Sequence, residues 1–167
     1  ISPNNEDVTF EVVMDNDVNA NDNSIEVLLS TATPAHASIS VEVSADFYPV
    51  ETSWEIRDAA GAVVASASYE AGTEDDFDGG GVDADMVHNH VESLATGCYT
   101  FVAMDAYGDG QTGYSGSGAG TDGSIVVTDE EGLELLSISG NWGTEQSVVF
   151  EIVSQSENDT GCTDVFA

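Results

Sequence analysis

Short stretches in which apolar and polar residues alternate recur along the whole chain. Residues 38–43 and 52–56 alternate with a period of two, which is the pattern of a strand with one buried face. The linkers between such stretches are rich in Gly, Asp, Asn and Ser, the residues that form tight turns. Strands are therefore predicted at residues 8–14, 25–29, 38–43, 52–56, 62–68, 98–104, 124–128, 133–138 and 147–153.

Helical periodicity is almost absent. Only residues 83–94 are compatible with a helical turn or two. Short strands separated by turn residues predict an all-β fold, and we expect a β-sandwich of jelly-roll type. Trp54 lies in an alternating stretch and, with Trp142, is predicted to belong to the core.

The chain of 167 residues suits one domain, or one domain plus an appendage. Residues 1–35 are predicted to be an N-terminal extension or β-hairpin, joined to the rest at Thr33 and Pro34. Residues 36–154 form the predicted sandwich. Residues 155–167 are interpreted as a C-terminal linker or the start of a next repeat, so we expect the chain to be part of something longer.

The charge of the chain is strongly one-sided. Thirty-two acidic residues face a single basic residue, Arg57, and the formal net charge is −31. Such a surface repels nucleic acid and anionic membranes, because phosphate contacts need cations. High salt or bound divalent cations relieve carboxylate repulsion, and sea water supplies both; a merely solubilising surface is the alternative. No stretch approaches the ~20 apolar residues that span a bilayer, so membrane insertion is not expected.

The two cysteines, Cys98 and Cys162, lack the CxxC spacing of zinc and thioredoxin-like sites. In an exported protein we expect them to form a disulfide. A closed loop of 162 − 98 = 64 residues would stabilise the fold by about 4 kcal/mol. Two free buried thiols are the alternative.

A set of motifs gives most of the chain a family resemblance. Residues 46–56 read DFYPVETSWEI, and a D-x-x-G turn follows at residues 58–61. The second half carries GCYTF at 97–101, DAYGDG at 105–110 and GNWGTE at 140–145. Together these motifs resemble a β-module of secreted proteins of marine Bacteroidetes, and the resemblance covers residues 37–154.

The resemblance implies a secreted accessory or adhesive module, appended to large exported enzymes or adhesins that often use the type IX secretion route. It implies an extracellular or cell-surface location and no catalytic activity. The chain departs from the family at residues 111–114, where relatives often carry a cysteine pair and this sequence reads QTGY. A local disulfide at that position is therefore lost.

An acidic, glycine-rich stretch follows the predicted strand 98–104. Its two carboxylates lie four residues apart, and its glycines let the backbone fold so that intervening carbonyls point inward. Calcium takes roughly six to eight such oxygens. A second carboxylate pair precedes the strand 52–56, and in a sandwich both pairs meet at one end. The predicted calcium site comprises Asp46, Glu51, Asp105, Tyr107 and Asp109; two ordinary turns are the alternative.

A second candidate calcium loop lies in the N-terminal extension. Asp15, Asp17, Asn19 and Glu26 match positions 1, 3, 5 and 12 of an EF-hand loop. Ala20 occupies the position of the invariant glycine, and predicted strands flank the loop, so it is not an EF-hand. It is interpreted as a calcium-binding hairpin loop or as a polar turn without metal.

Aromatic residues in the glycine-rich loops are candidates for ligand contact. Phe77 and Asp78 lie in the acidic loop 74–81, where Phe77 either stacks on a sugar ring or pins the loop to the core. A mobile, solvated loop is the alternative. Tyr107 and Tyr114 flank the other glycine-rich loop. The predicted ligand-binding residues are Phe77, Asp78, Tyr107 and Tyr114.

No catalytic constellation emerges from the sequence. Ser53 and Ser115 lack a nucleophile-elbow context. His88 and His90 are two residues apart, a spacing that on a strand would put both on one face, but they lack a third metal ligand and are interpreted as ordinary polar positions near a strand. The sequence therefore predicts a non-catalytic, calcium-stabilised module that binds polysaccharide or a cell-surface glycan. The alternative is a subunit of an extracellular filament or tether, in which residues 1–35 pair with the sheet edge of an identical subunit.

Overall fold

The computed structural model describes residues 6–11, 24–29, 32–113 and 121–154. Strands β1 (Glu6–Glu11) and β2 (Ser24–Leu29) form a two-stranded antiparallel sheet of their own. They belong to a different compact unit from the remaining strands, and the larger unit begins at Thr33.

The larger unit contains two sheets. Its strands are β3 (Thr33–Ala35), β4 (Ser38–Ser44), β5 (Thr52–Asp58), β6 (Val63–Ser68), β7 (Val87–Ser93), β8 (Gly97–Asp105), β9 (Ser124–Asp129), β10 (Glu134–Ser139) and β11 (Glu145–Ile152). One sheet has the order β3-β11-β8-β5-β6 and the other the order β10-β9-β4-β7. Neighbouring strands are antiparallel except β3 and β11. The all-β sandwich is therefore confirmed, while the jelly-roll connectivity stays a prediction.

The core lies between the two sheets and follows the alternation seen in the sequence. Strand β4 buries every second residue, Ile39, Val41 and Val43, on the side that faces the other sheet. From the five-stranded sheet, Trp54 and Phe101 stack with their ring centroids 5.9 Å apart, and both are fully buried. Burial of each such side chain contributes about 1.5–3 kcal/mol. Trp54 is thus a core residue as predicted, and Trp142 packs against the core while partly buried.

Residues 83–94, whose sequence is compatible with a helical turn or two, contain strand β7 and no helix. Its residues alternate between exposed and half-buried positions, and all seven pair with β4. His90 packs edge-on against the Trp54 ring at a centroid distance of 5.1 Å. The tertiary pairing with β4, together with this inward packing, decides the extended conformation.

Helix is confined, within the described residues, to a 3-10 turn over Pro49–Glu51. No helix in this part of the chain is long and apolar enough to cross a membrane. The turn lies in the β4–β5 connection, which carries two of the predicted calcium ligands.

Candidate metal centre

The β4–β5 connection is fixed at both ends by hydrogen bonds. The carboxylate Oδ1 of Asp46 accepts the Tyr48 N–H at 2.8 Å, and the Asp46 carbonyl accepts the Asp85 N–H at 3.0 Å. Pro49 is buried and begins the 3-10 turn, which ends at Glu51. Asp46 is itself buried, with 3% of its surface exposed. The segment therefore holds Asp46 and Glu51 in defined positions before β5 begins.

The loop after β8 wraps around the Asp105 side chain. Oδ1 of Asp105 accepts the backbone N–H groups of Gly108 and of Asp109. Gly108 and Gly110 have φ angles of 98° and 71°, in the left-handed region that favours glycine. The loop thus occupies one carboxylate oxygen of Asp105, whereas Oδ2 is buried and has no hydrogen-bond partner.

Three carboxylates converge where these two segments meet. One carboxylate oxygen from each of Glu51, Asp105 and Asp109 lies within 4.8 Å of the others. The register of β5 and β8 causes this, because Thr52 pairs with Asp105 and places the preceding Glu51 beside the loop. The Ala106 N–H also donates to the Glu51 carbonyl at 2.9 Å. The arrangement is a small, partly buried cluster of acidic oxygens.

The cluster disfavours its own ionisation. Burial, followed by the charges of Asp105 and Asp109, raises the pKa of Glu51 to about 7. Burial also raises the pKa of Asp46 to about 6, and the same two charges add to that shift. The pKa of Asp105 is likewise raised, first by burial. These carboxyls therefore lie close enough to repel one another, in an environment that penalises negative charge.

The chain offers almost no cationic side chain to neutralise them. Arg57 is the only Lys or Arg in the sequence. It lies six positions beyond Glu51 along β5, or about 20 Å at the usual rise of a strand, and its Nε donates to Glu55 at 2.8 Å. A partly buried carboxylate cluster of this kind is costly unless a cation compensates it.

Most of the first predicted calcium set is thus brought together. Glu51, Asp105 and Asp109 form the cluster, and Asp46 lies within electrostatic reach of it. The side chain of Tyr107 is 76% exposed. Of the second predicted calcium-binding set, the structure describes only Glu26, which pairs with Thr9 between β2 and β1. Its other members, Asp15, Asp17 and Asn19, lie outside the described residues.

The acidic loop 74–81 packs against the β4–β5 connection. Gly80 donates its N–H to the Phe47 carbonyl at 2.8 Å, and a Cβ on Gly79 would collide with the rings of Phe47 and Tyr48. Phe77 does not pin this loop, because its side chain is 75% exposed. Asp75 holds it instead, by accepting hydrogen bonds from Phe77 N–H, Gly79 N–H and the Tyr48 hydroxyl.

The remaining predicted ligand-contact residues have different placements. Asp78 is exposed, with a φ angle of 65°, and its carbonyl accepts the Gly72 N–H at 2.8 Å. Tyr114 lies outside the described residues. Cys98 is disulfide-bonded, which excludes the free-thiol alternative for this residue. Cys162 also lies outside the described residues, so its pairing with Cys98 stays a prediction.

Gln111 is a residue of this region that the sequence analysis missed. It is fully buried, its N–H donates to the Gly140 carbonyl at 2.9 Å, and its carbonyl accepts the Gly123 N–H at 2.8 Å. Its side-chain Nε2 donates to the Ser44 carbonyl at 3.3 Å. The end of the Asp105 loop is thereby fixed against β4. The only signal in the sequence is a large amide residue immediately after an Asp-Gly turn.

Neither the protein-family models nor the curated proteins and solved structures with which the chain was compared match it. The resemblance to the Bacteroidetes β-module therefore rests on the quoted motifs alone and stays a prediction.

Proposed function

We propose that this protein is a non-catalytic, calcium-stabilised binding or adhesion module of a larger secreted or cell-surface protein. The proposal is supported by the buried Oδ2 of Asp105, which has no hydrogen-bond partner, and by the proximity of the Asp105 carboxylate to those of Glu51 and Asp109. Burial of a carboxylate oxygen without a partner is costly, and a bound cation would compensate that cost.

Calcium suits this cluster better than other common metal ions. The candidate ligands are all oxygens, and the cluster contains no histidine or cysteine. Glu51, Asp105 and Asp109 would bind the ion directly, with Asp46 next to them. If free calcium stands near 100 times its Kd, one site adds about 2.7 kcal/mol to the free energy of unfolding.

A polysaccharide is the ligand that we propose for the same end of the sandwich. Tyr107 lies between two of the cluster residues in the sequence, and its ring is 76% exposed. Phe77, 75% exposed, belongs to the loop that packs on the β4–β5 connection. Exposed aromatic rings stack on sugar faces, and sugar hydroxyls supply the neutral oxygens that calcium accepts.

Thermal unfolding tests the calcium proposal. The melting temperature is measured in EDTA and in CaCl2. Separate solutions of MgCl2 and of NaCl, matched to the CaCl2 solution in ionic strength, are the controls. We expect a rise specific to calcium, which Asp109→Asn abolishes and which Asp76→Asn, at an exposed position of another acidic loop, leaves unchanged. Equal gains in NaCl would show that the acids respond to screening alone, and the proposal would fail.

Glycan binding is tested separately, by affinity electrophoresis through a panel of neutral and uronate polysaccharides in calcium and in EDTA. We expect retardation by at least one polysaccharide in calcium, reduced by Tyr107→Ala or Phe77→Ala. Val82→Ala is the control, since Val82 is equally exposed, at 74%, but is not aromatic. If calcium raises the melting temperature but no polysaccharide retards the protein, the protein is a calcium-stabilised module whose ligand is not a polysaccharide.

The filament hypothesis has one observation in its favour. Among the described strands, β1 and β2 pair only with each other, and an isolated two-stranded sheet is marginally stable in water unless it pairs or packs further. Sedimentation velocity over a range of concentrations decides between the two functions. Growing assemblies that disappear on removal of residues 1–31 would favour the filament, whereas a monomer at all concentrations would exclude it.

A further inference from the structure

Strand β6 is an open edge of the five-stranded sheet. Among the described strands it pairs only with β5, through residues Val63–Ser68. An edge strand leaves alternate N–H and C=O groups without a partner strand, and it is therefore a template for pairing with another chain.

The other three edges of the sandwich carry features that discourage such pairing. Strand β3 is three residues long and contains Pro34. Strand β10 begins with Glu134 and has a register shift between Glu134 and Leu136. Strand β7 carries His88, His90 and Glu92. In contrast, the sequence of β6 is VVASAS, without charge or proline. Natural proteins usually protect a strand of this kind, so its open edge points to a function.

The two faces of β6 differ in chemistry. Ala65 and Ala67 are partly buried and pack against the core, while Ser66 and Ser68 are exposed on the opposite face. On that outer face a groove of about 340 Å³ adjoins the strand. Its lining residues are Ser53, Trp54, Glu55, Ser66, Ala67, Ser68 and Met104.

We propose that β6 is the acceptor edge for an extended segment of another polypeptide whose side chains alternate between basic and apolar. A strand added beside β6 places its apolar side chains next to Ala65 and Ala67, where they extend the core. Its other side chains lie over Ser66 and Ser68 at the groove, within reach of the Glu55 carboxylate. The groove residues Ser53 and Met104 adjoin Thr52 and Asp105 in the β5–β8 pairing, but the proposal does not depend on a bound calcium ion.

The charge of the chain argues for a basic segment as the occupant. With 32 acidic residues and one basic residue, the protein attracts a cationic strand and repels a second copy of itself. The serine hydroxyls and the Glu55 carboxylate that line the groove can accept hydrogen bonds from an ammonium or guanidinium group. The Arg57 Nε–H already donates to Glu55 Oε2 at 2.8 Å, so a basic side chain of the added strand would bind the other carboxylate oxygen, Oε1.

A labelled peptide of alternating lysine and valine, long enough to span β6, is the probe. Its affinity is measured by fluorescence anisotropy in calcium, at roughly 0.15 M NaCl where long-range charge effects are screened. Two further peptides carry N-methyl groups on one or the other set of alternate amides, so that all three have the same charge. We expect one methylated peptide to bind at least about tenfold more weakly, because it loses the hydrogen bonds to the edge, and the other to bind like the parent. Equal affinities of the two methylated peptides, whether high or low, would overturn the proposal.

Two single lysine substitutions, compared with each other, test whether the peptide binds at β6. Ser66→Lys adds a positive charge at the groove and is expected to weaken binding of the parent peptide about tenfold or more. Ser93→Lys adds the same charge at an exposed position of the edge strand β7 and is expected to have a much smaller effect. Equal effects of the two variants would refute binding at β6. Dimers that form without peptide and are lost in Ser66→Lys would identify a second copy as the occupant and would also overturn the proposal.

Discussion

The hydroxyl group of Tyr48 donates a 2.8 Å hydrogen bond to Oδ2 of Asp75. This bond joins the acidic loop 74–81 to the β4–β5 connection, which carries Asp46 and Glu51. The N–H group of Gly79, and then that of Phe77, lower the pKa of Asp75, which favours the ionised acceptor. The acidic, glycine-rich loop 74–81 therefore stabilises the β4–β5 connection, which carries two of the candidate metal ligands.

Removal of this hydrogen bond is expected to destabilise the fold. Tyr48→Phe deletes the donor and leaves the ring, so the free energy of unfolding should fall by about 0.5–1.5 kcal/mol. Urea denaturation measures the change. Tyr107→Phe is the control, because the Tyr107 side chain is largely exposed and should give a change near zero. Equal losses in the two variants would show that the bond to Asp75 contributes nothing.

Gly110 is expected to be essential to the shape of the Asp105 loop. A Cβ at this position would lie 2.5 Å from the Gly140 carbonyl oxygen and 2.6 Å from the Trp142 nitrogen, both of them backbone atoms. Gly110→Ala should therefore destabilise the fold by more than about 2 kcal/mol, because positive φ and overpacking both oppose it.

Gly61→Ala separates these two causes. Gly61 has a similar φ angle of 80°, but no atom lies within 4 Å of an added Cβ. We expect this variant to lose only about 1 kcal/mol. Thermal and urea unfolding of the two alanine variants in parallel provides the comparison, and a loss at Gly110 no larger than that at Gly61 would contradict the role of the contacts.

Asp46→Asn is expected to stabilise the metal-free protein at neutral pH. Burial raises the pKa of Asp46 to about 6, so ionisation of this group at pH 7.5 works against folding. An amide keeps the oxygen that accepts the Tyr48 N–H and needs no ionisation. The melting temperature in EDTA should rise by about 2–4 °C at pH 7.5, and the gain should vanish below pH 4. A lower melting temperature in EDTA at pH 7.5 would refute this account.

The His36–Asp129 pair is expected to make stability depend on pH. His36 Nδ1 lies 2.7 Å from Asp129 Oδ2, and the hydrogen bond to Asp129 raises the pKa of His36. Burial alone would raise the pKa of Asp129. The hydrogen bonds from His36 and from backbone N–H groups outweigh that effect and lower it.

The pKa shifts of His36 and Asp129 affect the stability of the fold in different pH ranges. The contribution of His36 to the free energy of unfolding is fully present below the ordinary histidine pKa of 6.5. It is lost as pH rises through the raised pKa of His36 in the folded protein. The contribution of Asp129 is present above its ordinary value of 3.8 and is lost as pH falls through its lowered value. The difference in melting temperature between the wild type and His36→Asn should therefore be largest between these pH values and shrink as pH rises through the raised pKa of His36. A difference that does not change with pH would contradict the ion pair.

The strands of the sandwich were largely predictable because one face of each lies on the core. In β4 and β5 the period-two pattern follows directly from this burial, and the predicted strands agree with the structure to within a few residues. Strand β7 was missed, since its inward positions are histidines and glutamate rather than aliphatic residues. Strand β3 has only three residues, too few to show any alternation.

The chemistry of the candidate site can be read from the amino-acid sequence: an excess of carboxylates, two of them in a glycine-containing loop, and a single Arg as the only Lys or Arg. Which carboxylates meet depends on how the strands pair. The pairing of Thr52 with Asp105 places Glu51 beside the Asp105 loop, and a slip of one residue would turn the strand's side chains to the opposite faces of the sheet. That register depends on the packing of β5 and β8 over the whole core, which no local pattern around Glu51 or Asp105 encodes.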